Sequence, residues 1–178
     1  MSANKFKALN ISIGVFISII ILITSINQYS FNHEYYDKEF VKNDIVTATG
    51  METEELKKVT KKITGYIGGV EEELNLVVNI DNKSLVMFNQ KEINHMMDVK
   101  YIFSVLKAIR SVFIILVLLF VVMIRKNELN KLYFSKALMY NGIFTIILFI
   151  GLLTMIYIDF TKYFVKFHEM FFTNDLWL

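Results

Sequence analysis

The apolar stretch Leu9–Ile26, which reads LNISIGVFISIIILITSI, decides the structural class of this protein. It carries no charge and would form about 27 Å of helix, close to the thickness of the hydrocarbon core of a bilayer. A cleavable signal peptide is the alternative, but no cleavage site with small residues follows Ile26. The sequence therefore favours an uncleaved membrane anchor at residues 9–27, after a short tail of residues 1–8.

Two further apolar stretches lie in the second half of the chain. Residues 137–158 are uncharged and would form about 33 Å of helix, enough to cross a bilayer. The other stretch, Ser111–Ile124, is only about 21 Å long as a helix, so a full crossing has to extend back through Arg110 and Lys107. Three transmembrane helices are thus predicted, at residues 9–27, 101–124 and 137–158.

Polar residues form a stripe on the second predicted helix. Ser104, Lys107 and Ser111 recur at helical spacing, and Arg110 lies beside them. Anchoring at the membrane interface explains such a stripe, and so does a pocket for a polar headgroup or an ester at the outer leaflet. The sequence leaves both interpretations open.

Basic residues near the apolar stretches predict the orientation of the chain, because they favour the cytoplasmic side. Lys5 and Lys7 precede the first helix, and a basic link at residues 125–136 joins the second and third helices. That link contains Arg125, Lys126, Lys131 and Lys136. The N-terminus and the link are therefore predicted to be cytoplasmic, which places residues 28–100 and 159–178 outside.

Residues 28–100 are predicted to form a small α+β extracytoplasmic domain. Apolar residues recur at helical spacing in Thr53–Gly68, lysines occupy the other faces, and Gly68-Gly69 ends the pattern. Alternating residues up to the turn Asp81-Asn82-Lys83, followed by Ser84–Phe88, predict a hairpin. The lysine face is interpreted as solvated or attracted to anionic headgroups. The fold class is an α-helical integral membrane protein with this domain between its first and second transmembrane helices.

The composition excludes several classes of function. With 19 Lys and Arg against 17 Asp and Glu, the net charge of +2 gives no field that would attract nucleic acid. The chain contains no Cys, so a thiolate nucleophile, a Cys-ligated metal and a lipidated cysteine of its own are excluded. The sequence also contains no phosphate-binding loop and no GxSxG motif. No cofactor is predicted.

Two histidine-containing clusters lie at the predicted outer surface, Glu92–Lys100 before the second helix and Phe167–Trp177 after the third. Helices joined by a short link are usually antiparallel neighbours, so His95 and His168 are expected to come together. Glu92 and Asp98 are each three residues from His95, so either carboxylate is positioned to orient the ring. A structural role for each histidine is the alternative.

His168 lies among Phe164, Phe171 and Phe172 at helical spacing, which predicts an amphipathic interfacial helix with an apolar face. Asp175 follows two turns further along that face. The order His168-Glu169 begins like a zinc-protease motif, but Phe172 stands where the second ligand would be. A metal site made of His95, His168 and a carboxylate is compatible with the ligand types alone.

Together, the pattern Glu92-x-x-His95-Met96-x-Asp98-Val99-Lys100 and the pattern Phe167-His168-x-x-Phe171-Phe172-x-Asn174-x-x-Trp177 resemble the bacterial lipoprotein intramolecular transacylase family. The resemblance covers nearly the whole chain and includes the order of helices. The family is expected to continue into a fourth membrane helix, whereas this sequence ends at Leu178.

The resemblance implies an acyltransferase of the bacterial cell membrane. Its substrate is a diacylated lipoprotein, and it moves the sn-2 acyl chain of the diacylglyceryl group to the α-amino group of the N-terminal cysteine, giving the lyso-form. The expected catalytic residues are His95 and His168, at the outer leaflet. Glu92, Asp98, Lys107, Arg110, Asp175 and Trp177 are expected to support them, and Phe164, Phe167, Phe171 and Phe172 to bind acyl chains.

Two alternatives to an enzyme follow from composition alone. The composition also permits a membrane-anchored binding or assembly subunit in which both histidines have a structural role. A transporter is less favoured, because the predicted helices carry no acidic residue or helix break near the bilayer midplane.

Overall fold

The computed structural model describes residues 3–80, 83–124 and 128–177. The chain forms helices α1 (Ala3–Ser30), α2 (His33–Lys42), α3 (Ile45–Thr49), α4 (Thr53–Gly68), α5 (Gln90–Ile124), α6 (Glu128–Ile158) and α7 (Phe160–Phe171), and strands β1 (Val77–Ile80) and β2 (Lys83–Val86). Arg125, Lys126 and the turn residues Asp81 and Asn82, all part of the sequence predictions, lie outside the described residues.

Three of these helices are long and apolar enough to cross a membrane, within Ala8–Ser30, Gln90–Met123 and Lys131–Ile158. In their most apolar windows only 22%, 6% and 0% of the residues are buried inside the protein. Large exposed apolar surfaces of this kind are typical of segments that contact lipid or another protein. The predicted integral membrane class with three candidate spanning helices is confirmed.

The chain divides into two compact units. The helical unit comprises Met1–Thr24 and Leu106–Thr173, and the mixed unit comprises Ser25–Val105 and Asn174–Leu178. Helices α1 and α5 contribute residues to both.

In the helical unit, α1, α5 and α6 run in alternating directions. Phe16 stacks on Phe113 at 4.3 Å between ring centroids, and Ile13 packs with Phe120. These pairs run in opposite sequence directions, so α1 and α5 are antiparallel. Asn141 Nδ2 donates to the carbonyl of Ile11 at 3.4 Å, and the hydroxyls of Thr145 and Ser18 are 3.0 Å apart, so α1 and α6 are parallel.

Gly14 allows the close approach of α1 and α6. A Cβ atom at this position would overlap the amide of Asn141, which also donates to the carbonyl of Ala137 at 2.8 Å. In membranes, helices often associate through small residues combined with polar side chains, because these allow close packing and interhelical hydrogen bonds. Gly14 and Asn141 supply both features at the same contact.

We expect Gly14→Ala to lower the melting temperature of the detergent-solubilised protein, with a destabilisation of about 1–3 kcal/mol from overpacking. Gly142→Ala is the matched control in α6, since nothing lies within 4 Å of a Cβ added there. Combining Gly14→Ala with Asn141→Ala is expected to recover part of the loss. A Gly14→Ala protein that melts like wild type would show that this contact does not limit packing.

The mixed unit is built around the β-hairpin. Strands β1 and β2 pair antiparallel, with Val78 opposite Leu85 and Ile80 opposite Lys83. The side chain of Val78 is buried against Leu56 and Val59 of α4 and against Met51. The hairpin predicted from sequence is confirmed, although its strands are shorter than the alternating pattern.

Helix α4 has the predicted bounds and ends at the predicted glycines. Gly69 adopts a left-handed conformation (φ 85°), and the amide of Val70 donates to the carbonyl of Gly65 at 2.9 Å, as in a Schellman cap. After this cap, Glu71 forms a 2.6 Å ion pair with Lys62. The hydrogen bond and charge of Lys62 hold the pKa of the Glu71 carboxyl below its usual value. The ion pair and the cap together fix the segment that leads into the hairpin.

Candidate functional site

Helix α5 begins with a reciprocal capping box just before His95. The side-chain oxygen of Asn89 accepts from the amide of Glu92 at 3.0 Å, and Glu92 Oε2 accepts from the amide of Asn89 at 2.8 Å. This arrangement satisfies two donors at the start of the helix. The structure therefore places Glu92, predicted as a possible partner for His95, in the cap of the helix that carries His95. Asn89 was not among the predicted site residues, although its spacing to Glu92 is the signature of such a cap.

His95 lies one turn into α5 and is partly buried, with its Nδ1 atom shielded from solvent. Asp98 follows three residues later and is also partly buried. Asp98 Oδ2 accepts a hydrogen bond from Asn174 Nδ2 at 2.9 Å. The structure thus brings the tail after α7, which carries the predicted residues Asp175 and Trp177, against the segment of α5 that carries His95. Asp175 is exposed, and Trp177 is partly buried.

Lys100 attaches the same part of α5 to the rest of the mixed unit. Its ammonium group donates to the carbonyl of Glu71 at 3.1 Å and lies 4.2 Å from the ring centroid of Tyr66. The Tyr66 side chain is buried, so this cation–π contact is partly shielded from water. Lys100 and Asp98 therefore both hold the N-terminal part of α5, on either side of Val99.

In the helical unit, α7 carries His168 within a group of aromatic rings. Asp159 caps the helix by accepting from the amide of Lys162 at 3.0 Å. The His168 ring lies 4.1 Å from the Phe164 ring, 5.3 Å from Phe167 and 5.6 Å from Phe172, measured between centroids. These contacts restrict the orientation of the imidazole.

A hydrogen bond to the backbone determines the tautomer of His168. Its Nδ1 is 2.8 Å from the carbonyl oxygen of Phe164. Because a carbonyl only accepts, Nδ1 carries the proton and donates it. In the neutral ring, the lone pair is then on Nε2, and this atom is able to accept a proton from a reacting group.

The four phenylalanines predicted to bind acyl chains differ in exposure. The exposed fractions are 41% for Phe164, 53% for Phe167 and 50% for Phe171, whereas Phe172 is buried at 8%. Phe167 and Phe171 contact each other at 4.8 Å between centroids. Three of the four therefore form an apolar surface on α7, and Phe172 packs beneath His168 instead.

The serines and the arginine of the predicted polar stripe on α5 differ in their hydrogen bonding. Ser104 and Ser111 donate to backbone carbonyls of the preceding turn, those of Tyr101 and Lys107, at 2.7 and 2.9 Å. The Arg110 side chain is partly buried, and the part of the chain that the structure describes offers its guanidinium no hydrogen bond or ion pair. Arg110 is thus a partly desolvated cation on a spanning helix, the kind of residue that often marks a functional site.

His33, which was assigned no chemical role from sequence, is hydrogen-bonded inside the mixed unit. Its Nε2 is 3.0 Å from the hydroxyl oxygen of Thr64, and that hydroxyl lies 2.8 Å from the carbonyl of Thr60. Within the described ranges, no group of three His, Asp or Glu side chains is arranged to hold a metal ion.

The comparisons with known proteins give a family match and two solved structures of one bacterial protein. Residues 11–178 match the family described as lipoprotein intramolecular transacylase Lit. The membrane integral lipoprotein intramolecular transacylase Lit from Bacillus cereus, solved in meso, superposes with a TM-score of 0.78 at 21% identity, covering 99% of this chain and 77% of that chain. A histidine-to-arginine variant of that protein gives a TM-score of 0.65 at 23% identity, covering 98% and 72%. No curated protein sequence matches the chain.

Proposed function

The chain belongs to the lipoprotein intramolecular transacylase family, and we propose that it moves the sn-2 acyl chain of a diacylglyceryl lipoprotein to the α-amino group of the N-terminal cysteine. In this reaction an amide bond forms between the cysteine nitrogen and the acyl carbon. The ester bond to the glycerol oxygen breaks, the nitrogen loses a proton and the glycerol oxygen gains one. The observation that carries the proposal is the hydrogen bond that leaves the Nε2 lone pair of His168 as the basic site.

His168 is the general base in this proposal. An α-amino group has a reference pKa of about 7.7–8.0, so an imidazole is a sufficient base to remove its proton. The same ring, once protonated, can return the proton to the departing glycerol oxygen. The surrounding phenylalanine rings keep the imidazole oriented, and orientation is the main requirement when the amine and the ester belong to one substrate molecule.

The tetrahedral intermediate requires a donor for its oxyanion. His95 takes this role or relays the proton, and Asp98 orients the part of α5 that carries His95. Arg110 and Lys107 face the ester or glycerol region from the membrane side. The absence of cysteine from the chain is compatible with this scheme, because direct transfer from ester to amine needs no acyl-enzyme.

The exposed phenylalanines of α7 hold the acyl chains of the substrate. Helix α7 is strongly amphipathic, and such helices lie in the interface with their apolar face in the acyl region. The alternating directions of α1, α5 and α6 support a topology in which α7 follows the third crossing. With the positive-inside rule, this orientation gives a cytoplasmic N-terminus and a reaction at the outer leaflet.

Incubation of the purified chain with a synthetic diacylated lipopeptide tests the proposal. We expect tandem mass spectrometry to find one acyl chain on the cysteine nitrogen and one on the glycerol, with the intact mass unchanged because the reaction is an isomerisation. A lipopeptide whose α-amine is already acetylated is the control and should not react. An acyl chain that never leaves the sn-2 ester in the free-amine substrate would refute the proposed function.

A further inference from the structure

The side chain of Asn174 links the tail after α7 to helix α5. Its Nδ2 donates to Asp98 Oδ2 at 2.9 Å, and its Oδ1 accepts from the amide of Leu176 at 3.1 Å. The first bond joins residues 76 positions apart in sequence, and both side chains are partly buried. One end of the amide therefore shapes the turn of the tail, while the other end ties that turn to the helix.

Helix α5 is tied to other parts of the mixed unit close to His95. Asp98 and His95 are three residues apart and share one face of α5. Lys100 fixes the neighbouring turn through the carbonyl of Glu71 and the ring of Tyr66. The bond from Asn174 is charge-assisted, because its acceptor is a carboxylate, and such bonds are stronger than neutral ones. Three long-range contacts therefore hold this part of α5 within the mixed unit.

We propose that Asn174 is a positioning residue of the transacylase, which acts through Asp98 to fix the turn of α5 that carries His95 and to order the tail that carries Trp177. This inference rests on the proposed function, which gives His95 a part in the reaction. Asn174 touches no reacting atom in this scheme. Its contribution is the geometry of His95, and a misplacement of about 1 Å can lower a rate by about 100-fold.

Asn174→Asp isolates the bond to Asp98. The aspartate keeps an oxygen that accepts from the amide of Leu176, but it replaces the donor Nδ2 with a second carboxylate oxygen, which repels Asp98. The double variant Asp98→Asn/Asn174→Asp exchanges donor and acceptor and restores the hydrogen bond. It also keeps one negative charge in the pair, so it is a matched rescue of the single variant.

We expect Asn174→Asp to lower kcat for acyl transfer by about 10- to 100-fold with KM nearly unchanged, because orientation rather than binding is lost. The double variant should recover to within about threefold of wild type. A double variant no more active than Asn174→Asp would overturn the proposal, because it would show that the bond between the two side chains is not what turnover requires.

The fluorescence of Trp177 gives a second measurement, which does not depend on activity. It is the only tryptophan in the chain and lies three residues after Asn174. In Asn174→Asp we expect the emission of Trp177 to shift to longer wavelength and its quenching by acrylamide to increase. In the double variant we expect the emission wavelength and the quenching to return to their wild-type values. Unchanged Trp177 fluorescence in Asn174→Asp would show that the bond does not order the tail.

Turnover and Trp177 fluorescence, measured on the same variants, separate this inference from the proposed function. If the fluorescence of Asn174→Asp changes while its turnover equals that of wild type, the positioning role is refuted and the transacylase function stands. If the wild-type chain transfers no acyl group, the proposed function fails, and the positioning role fails with it.

Discussion

His168→Asn is expected to lower the rate of acyl transfer by at least about 100-fold, and by up to about 10,000-fold, because it removes the general base. The asparagine amide occupies the place of Nδ1, so it can still donate to the carbonyl of Phe164. The substitution therefore preserves the hydrogen bond that orients residue 168 and removes the basic Nε2. Rates are measured by tandem mass spectrometry of the diacylated lipopeptide, at saturating and at low substrate concentration.

His33→Gln is the matched control for this variant. His33, like His168, is hydrogen-bonded through a ring nitrogen, but it lies in the mixed unit. It bonds through Nε2 to the hydroxyl of Thr64, and the side-chain amide of glutamine can replace Nε2 in this contact. We expect its turnover to equal that of wild type. If His168→Asn stayed within about threefold of wild type, the loss of a base would not limit the reaction and His168 would have a structural role.

His95 distinguishes an enzyme from a binding subunit. In the proposed mechanism, His95→Ala lowers turnover while the protein still binds a diacylated lipopeptide, since the acyl chains contact α7. If the protein is instead a binding subunit with two structural histidines, the loss of either ring should change folding or binding, and the wild-type protein should show no turnover.

The sequence predicts some helix ends of this protein and misses others. The apolar part of α5 is too short to cross a bilayer, and this shortfall correctly indicated that the helix extends back through Arg110. The start of α5 at Gln90 depends on the cap formed by Asn89 and Glu92, a local pattern that is visible in the sequence. Helix α3 has no such signal. It begins after Asp44, which has a positive φ of 48°, and Ile45 is held by packing against the core around Met51.

The contacts around the candidate site were predictable where they join near neighbours in sequence and unpredictable where they join distant residues. Spacing predicted that Phe164 and Phe172 would surround His168, because residues at four-residue intervals meet on a helix. The partner of Asp98 is Asn174, 76 residues away, and no local pattern predicts such a pair. The partial burial of Arg110 also depends on packing, because only the folded helices determine which cations find partners.

Arg110→Met is the second variant for which we expect a large loss of turnover. Methionine keeps an apolar stem of similar length on α5 but removes the guanidinium, which has no hydrogen bond or ion pair within the described residues. In the proposed site the guanidinium faces the ester, where it adds a donor to the developing oxyanion beside His95, and the loss of one such donor costs about 100- to 1,000-fold in kcat. KM should change little, because a contact made mainly in the transition state contributes little to substrate binding.

Arg110→Lys separates this role from anchoring at the membrane interface, the other interpretation of the polar stripe. Lysine anchors a helix end as well as arginine does, because both extend a cation to the interface. It lacks the planar fork of donors, so it replaces arginine poorly at an oxyanion. We therefore expect Arg110→Lys to insert normally and to remain clearly slower than wild type.

Lys136→Met is the matched control for the loss of a cation in the helical unit, since Lys136 is exposed on α6. Its turnover should equal that of wild type. Full activity in Arg110→Lys, together with poor membrane insertion of Arg110→Met, would assign Arg110 to anchoring. Normal insertion of Arg110→Met with a large fall in kcat would instead support a place for the guanidinium at the reacting ester, because loss of an interaction made only in the transition state lowers kcat without raising KM.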